Sequence, residues 1–113
     1  MAALAVVPLA CTSASPQVVQ GGNAQAGMTA ITHYGCGSCH TIPGVKGATA
    51  LVGPPLIHWS RRSFIAGKLA NTPANLEHWV EDPQSVWPGN DMPNLGVTAS
   101  DARNIATYLD EIG

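Results

Sequence analysis

The chain has 113 residues, about one domain's worth, with 12 Gly, 9 Pro and a single Phe. Charged residues make up 11% and the formal net charge is −2, which excludes a charge-driven disordered chain, a basic nucleic-acid surface and a polybasic membrane patch. The longest uncharged apolar run, Met1 to Cys11, is too short to span a membrane, and so much Gly and Pro predicts a domain whose centre is filled by something besides side chains.

The N-terminal segment, residues 1–11, reads as the end of a secretory signal, apolar with a small residue before Cys11. A cysteine directly after Leu9-Ala10 resembles a bacterial lipoprotein processing site, in which Cys11 becomes the lipidated terminus. An ordinary cleaved signal with an incidental cysteine is the alternative. Residues 12–22 are small, polar and Gly-containing and read as a flexible tether. A folded domain is expected over 23–113.

Asn23 to Tyr34 reads as a helix, capped by Asn23 and ended by Gly35, with Met28, Ile31 and Tyr34 at helical spacing. Thr41 to Pro55 is loop, punctuated by Pro43, Gly44, Gly47, Gly53, Pro54 and Pro55. A short helix is predicted within Ser60 to Leu69, carrying Phe64 and Ile65. Thr72-Pro73 opens a further helix that Pro83 ends. Pro88 to Gly96 is loop. Thr98-Ala-Ser-Asp101 starts the last helix, with Ala102, Ile105, Ala106, Leu109 and Ile112 on one face. The predicted fold is all-α, short helices and loops around a central object, without a sheet.

Cys36-Gly-Ser-Cys39-His40 is the C-x-x-C-H signature of c-type haem attachment. Two thiols so spaced can add to the two vinyl groups of one porphyrin, and the next residue then turns its imidazole onto the iron. Gly37 and Ser38 are small enough for the backbone to lie close to the ring. A thioredoxin-like dithiol would need a βαβ context that the sequence lacks. A structural zinc site would need a second Cys/His pair. One covalent haem c is therefore the expected cofactor, and its attachment places the domain outside the bacterial cytoplasm.

The sixth iron ligand decides whether the site is open. Met92 stands in Pro88-Gly-Asn-Asp-Met92-Pro-Asn-Leu95, a loop stiffened on both sides. A thioether held this way keeps its place between oxidation states and raises the potential. His33, His58 and His78 are the rival ligands, and a gap-filling core role is the other reading of a Met.

These features together resemble class I cytochromes c over Ala24 to Ile112. Gly53-Pro54-Pro55-Leu56 resembles that family's G-P-x-L element. The resemblance implies that the Pro54 carbonyl accepts from the proximal His40 Nδ1 and that Leu56 packs on the ring. Gly27 falls where the family crosses its first and last helices, and Tyr108-Leu109 matches the partner. The run Asn71-Thr-Pro…Trp79…Asp82-Pro-Gln84…Pro88-Gly…Met92-Pro is similar to the cytochrome c domain fused to subunit II of caa-type haem–copper oxidases. With no cupredoxin sequence ahead of it, the chain is expected to be a free-standing or lipid-anchored relative. The resemblance further implies an Arg on a haem propionate, either Arg61 or Arg62, with Trp59 and Asn71 as additional propionate donors. Plain packing or loop roles remain the alternatives for these four.

The implied function is electron transfer rather than enzymic turnover. A monohaem carrier would deliver electrons to a terminal oxidase from an upstream quinol-oxidising complex, on the periplasmic side of the membrane. A fixed haem subunit of a larger membrane complex, or a sensor or enzyme with a displaceable sixth ligand, are the competing readings. With only Lys46 and Lys68 as lysines, docking is expected to be small and apolar, through residues between Thr41 and Val52 and near Pro93.

Overall fold

The computed structural model describes residues 2–6 and 19–112; the Cys11 lipidation site and most of the predicted tether lie outside the described residues. Among the described residues, four helices, two 3₁₀ turns and one small hairpin follow in chain order.

Each longer helix begins at a side-chain cap. Asn23 Oδ1 accepts from Ala26 N–H at 2.8 Å and starts α1 (Ala24–His33). Thr72 Oγ1 accepts from Asn75 N–H at 3.1 Å, with Pro73 at the first position of α2 (Pro73–Glu81). Thr98 Oγ1 accepts from Asp101 N–H at 3.1 Å and starts α4 (Ala99–Glu111). The Asp101 carboxylate is used elsewhere: the Tyr34 hydroxyl donates to it at 2.6 Å and ties the end of α1 to the start of α4. Pro83 does end α2, but it also opens a one-turn helix, α3 (Pro83–Val86), because Asp82 Oδ1 accepts from Ser85 N–H at 3.1 Å and re-caps the chain.

No helix forms between Ser60 and Leu69. A 3₁₀ turn (Trp59–Arg61) is followed by an antiparallel hairpin, β1 (Phe64–Ile65) and β2 (Leu69–Ala70), paired Phe64 to Ala70 and Ile65 to Leu69. Its turn holds Ala66 and Gly67 at φ of 51° and 66°, the left-handed pair a type I′ hairpin turn requires. The sheetless expectation is corrected to this extent, and Phe64 is left exposed while Ile65 is buried.

α1 and α4 pack across each other at Gly27, with α2 laid along α4. Their contact is built on small residues: Ala30, Ala102 and Ala106 are buried, and Ile31, Ile105 and Leu109 fill the space between. The buried side-chain cluster also takes in Ile42, Trp59, Ile65, Leu76 and Val80. Packing also reaches back beyond the expected start near Asn23. Val19 is buried, and Gly22 lies against Thr107 of α4.

Candidate haem-binding site

Gly35, at φ 73°, turns the chain out of α1 into a 3₁₀ turn (Cys36–Ser38). The Cys36 carbonyl accepts from both Cys39 N–H at 3.2 Å and His40 N–H at 3.0 Å. The two cysteines thus bracket one tight turn and His40 leaves it directly. Both thiols are free and half-buried, and burial pushes the Cys36 thiol up. A methyl on Gly37 would come within 2.8 Å of Ala48 Cβ, so the turn is pressed flat against the loop that follows.

That loop returns to pair with the motif. Gly53 N–H donates to Cys39 O at 2.7 Å and Leu56 N–H donates to Thr41 O at 2.8 Å, so Gly53–Leu56 runs beside residues 39–41. Between these two bonds, His40 Nδ1 lies 2.7 Å from Pro54 O. A carbonyl can only accept, so Nδ1 carries the proton and Nε2 keeps its lone pair for a metal. Gly53 sits so close to the imidazole that any Cβ would overlap the ring. Leu56 is half-buried against the core.

Trp59 is buried in the second 3₁₀ turn. Its Nε1 is a buried donor without a hydrogen-bond partner among the described residues. The guanidinium carbon of Arg62 lies 5.3 Å from the centre of its ring. Arg62 also donates to the carbonyls of Pro55 and Ile57, whereas Arg61 is exposed. Asn71 spends its amide donors on Trp59 O at 3.1 Å and Arg62 O at 3.0 Å, so it braces the turn that carries both.

Met92 is half-buried in the strap between α3 and α4. Its N–H donates to Asn90 Oδ1 at 2.7 Å, and its carbonyl accepts from Gln84 Nε2 at 2.8 Å. The rival histidines are all exposed: His33 stands edge-on to Tyr34, His58 holds a left-handed φ of 51° before the second 3₁₀ turn, and His78 lies 3.3 Å from Ser85 Oγ. Sequence reasoning missed the amide network under Met92. Its signal was the crowding of Gln84, Asn90 and Asn94 around one methionine in an aperiodic segment.

The donors match a haem. Two thiols lie at the ends of one turn, an imidazole has Nε2 free, and a buried indole N–H lacks an acceptor such as a propionate oxygen. Among the described residues no cluster of three or more His, Cys, Asp or Glu forms an alternative metal site.

A family model described as cytochrome c matches residues 24–113. The chain is 39% identical over 75 residues to cytochrome c oxidase subunit 2 of Alkalihalophilus pseudofirmus, covering 66% of this chain and 21% of that protein. It is 35% identical over 75 residues to the subunit 2 of Bacillus subtilis, covering 65% and 21%. It is 37% identical over 65 residues to that of Bacillus sp. strain PS3, covering 56% and 18%. The chain thus spans about a fifth of the length of these relatives. The family binds haem c covalently, and Cys36 and Cys39 have the spacing for it. The match over 24–113, on a helical frame with little sheet, establishes that this chain belongs to the cytochrome c family and has its class I fold.

Proposed function

We infer that the domain is a one-electron carrier whose haem iron is ligated by His40 and Met92 and which exchanges electrons with a terminal oxidase. The observation that carries this reading is the hydrogen bond from His40 Nδ1–H to Pro54 O at 2.7 Å, which fixes the tautomer and aims Nε2 as a ligand. When bound, haem c supplies a reversible one-electron centre. The chain's own part is to hold, shield and insulate it. Cys36 and Cys39 would hold the ring through their sulfurs. The Pro54 carbonyl keeps the imidazole oriented. Met92, held at its N–H and its carbonyl, would supply the thioether ligand to the iron. Trp59 Nε1 would donate to a propionate, with Arg62 rather than Arg61 as the neighbouring cation and Asn71 holding both in place.

Docking follows from the surface beside His40. Leu51 and Val52, immediately before Gly53, are 75% and 74% exposed. Lys68 lies over the ring of the exposed Trp87 at 4.8 Å. A small apolar contact at Leu51 and Val52 suits a transient redox partner. The similarity to oxidase subunits supports an oxidase as that partner. The upstream donor is a quinol-oxidising complex, and the domain works outside the cytoplasm, with Cys11 as its lipid tether. Among the described residues no helix is long and apolar enough to cross a membrane.

Absorption spectra of the oxidised and reduced holoprotein and of Met92→Ala test the reading. The parent is expected to show the far-red thioether-to-ferric-iron band and little CO binding. Met92→Ala is expected to lose the band, lower the midpoint and bind CO. A variant with the parent's spectrum and midpoint would overturn the assignment of Met92.

A further inference from the structure

The strap from Pro88 to Val97 contains no helix or strand, so its backbone groups cannot satisfy one another through a regular ladder. One side chain does much of that work. Gln84 Nε2 donates to Asn90 O at 2.8 Å and to Met92 O at 2.8 Å, while its Oε1 accepts from Gly89 N–H at 2.9 Å. Both carbonyls can only accept and the N–H can only donate, so the orientation of the amide is determined and every strong hydrogen-bonding group on it is used. Its base is firm: Gln84 follows the buried Pro83, and its own N–H donates to Asn94 Oδ1 at 3.2 Å. Asn94 Nδ2 in turn donates to Asp82 Oδ1 at 2.9 Å, the oxygen that caps α3.

We propose that Gln84 is the positioning residue that keeps the Met92 strap closed, its one carboxamide pinning Gly89, Asn90 and Met92 together. The inference rests on the reading that Met92 would be the second iron ligand. Asn90 fixes the Met92 N–H and Gln84 fixes the Met92 carbonyl, so the residue is held on both sides of its Cα. Gln84 thereby sets how readily the sulfur gives way to an external ligand. A free strap would cost more to order in the ligated state, and the loss would show as easier displacement rather than as global unfolding.

The test is an imidazole titration of the ferric holoprotein, followed by the shift of the main haem absorption band and compared with global urea unfolding. Gln84→Ala removes all three bonds. Gln84→Glu keeps the shape and the acceptor for Gly89 but sets a carboxylate against two carbonyls. Both are expected to bind imidazole about tenfold tighter or more, the factor that losing two or three hydrogen bonds implies. Asn75→Ala, which deletes a comparable amide-to-carbonyl bond to Ala70 outside the strap, is expected to leave imidazole affinity unchanged. Parent-like affinity in both Gln84 variants, or an equal rise in Asn75→Ala, overturns the proposal. If Met92→Ala also binds imidazole as the parent does, the ligand assignment itself falls; if it differs and the Gln84 variants do not, only the clamp falls. Should neither Gln84 variant retain haem, hydrogen exchange of the Gly89 amide in the unmodified protein decides: protection supports the clamp and free exchange overturns it.

Discussion

The hydroxyl of Tyr108 donates to the carbonyl of Pro43 at 2.6 Å, joining α4 to the loop three residues beyond His40. Gly44, at φ 80°, lies against the same hydroxyl so closely that a Cβ there would displace it. Tyr108 therefore does two things, packing its ring at the α1–α4 crossing and tethering the loop that folds over the cysteine turn. Tyr108→Phe keeps the ring and leaves an exposed carbonyl that water can satisfy. The expected cost is about 1 kcal/mol in urea unfolding of the holoprotein. Gly44→Ala is expected to cost more, since it adds a strained φ to the lost bond. Equal stability of parent and Tyr108→Phe would mean the hydroxyl bond contributes nothing.

Gly27 tests the crossing itself. A Cβ at this position would overlap the backbone carbonyl of Asn104 and press on Tyr108 Cβ. The obstacle is backbone within a helix, so it cannot rotate away as a side-chain tip would. Gly27→Ala must separate α1 from α4 and open the packing of Ile31 and Ile105. A loss of about 2 kcal/mol or more is expected, despite the better helix propensity of Ala. Thermal melting of the holoprotein measures it, and a neutral or stabilising result would mean the two helices do not meet here.

What was legible in the sequence was whatever is encoded locally. Asn23, Thr72 and Thr98 announce helix starts because a cap needs only one oxygen and an N–H two or three residues on. The C-x-x-C-H run and the Gly53-Pro54 element are legible because cofactor chemistry fixes their spacing. The hairpin at Phe64–Ala70 was not, since its left-handed turn begins on Ala66 rather than on Asn or Asp. The adjacent Arg61 and Arg62 are indistinguishable as sequence; the 3₁₀ turn after His58 separates them, laying Arg62 along Trp59. The hold of Gln84 on Met92 has no period to read, because amide-to-carbonyl bonds in an irregular strap follow no repeat. Val19 is buried outside the predicted domain, and nearby Gly22 lies against Thr107 of the distant last helix, a long-range contact that no local pattern reveals.

Asp110 gives the protein a dependence on pH with a definite sign. It lies half-buried near the end of α4, and burial pushes its carboxyl up to about 6. In the unfolded chain the same group titrates at about 3.9. The folded state therefore holds this proton where the unfolded state has released it. The stability associated with the proton is fully present below about pH 4 and is lost as pH rises through about 6. Asp110→Asn is expected to flatten this fall and to leave the variant more stable than the parent at pH 7. Urea midpoints of both holoproteins at several pH values between 4 and 8 check it. Parallel curves would show that Asp110 titrates alike in both states.

The exposed pair Leu51 and Val52 makes the docking reading quantitative. An apolar contact gains from removing apolar surface from water, at about 25 cal/mol per Å², and that term responds weakly to dilute salt. A lysine-guided contact is instead weakened as the ionic strength rises, because the Debye length shrinks to about 8 Å at 0.15 M. Electron transfer from this domain to an oxidase is therefore expected to vary little between low and moderate salt. Leu51→Ser with Val52→Ser should slow the second-order step severalfold without moving the midpoint potential, since neither residue is a proposed ligand. Leu51→Lys should slow the step at moderate salt and make it steeply salt-dependent, in a direction set by the charge on the oxidase. Stopped-flow rates at several ionic strengths measure both. A parent rate that fell steeply with salt would assign docking to charges such as Lys46 and remove Leu51 and Val52 from the contact.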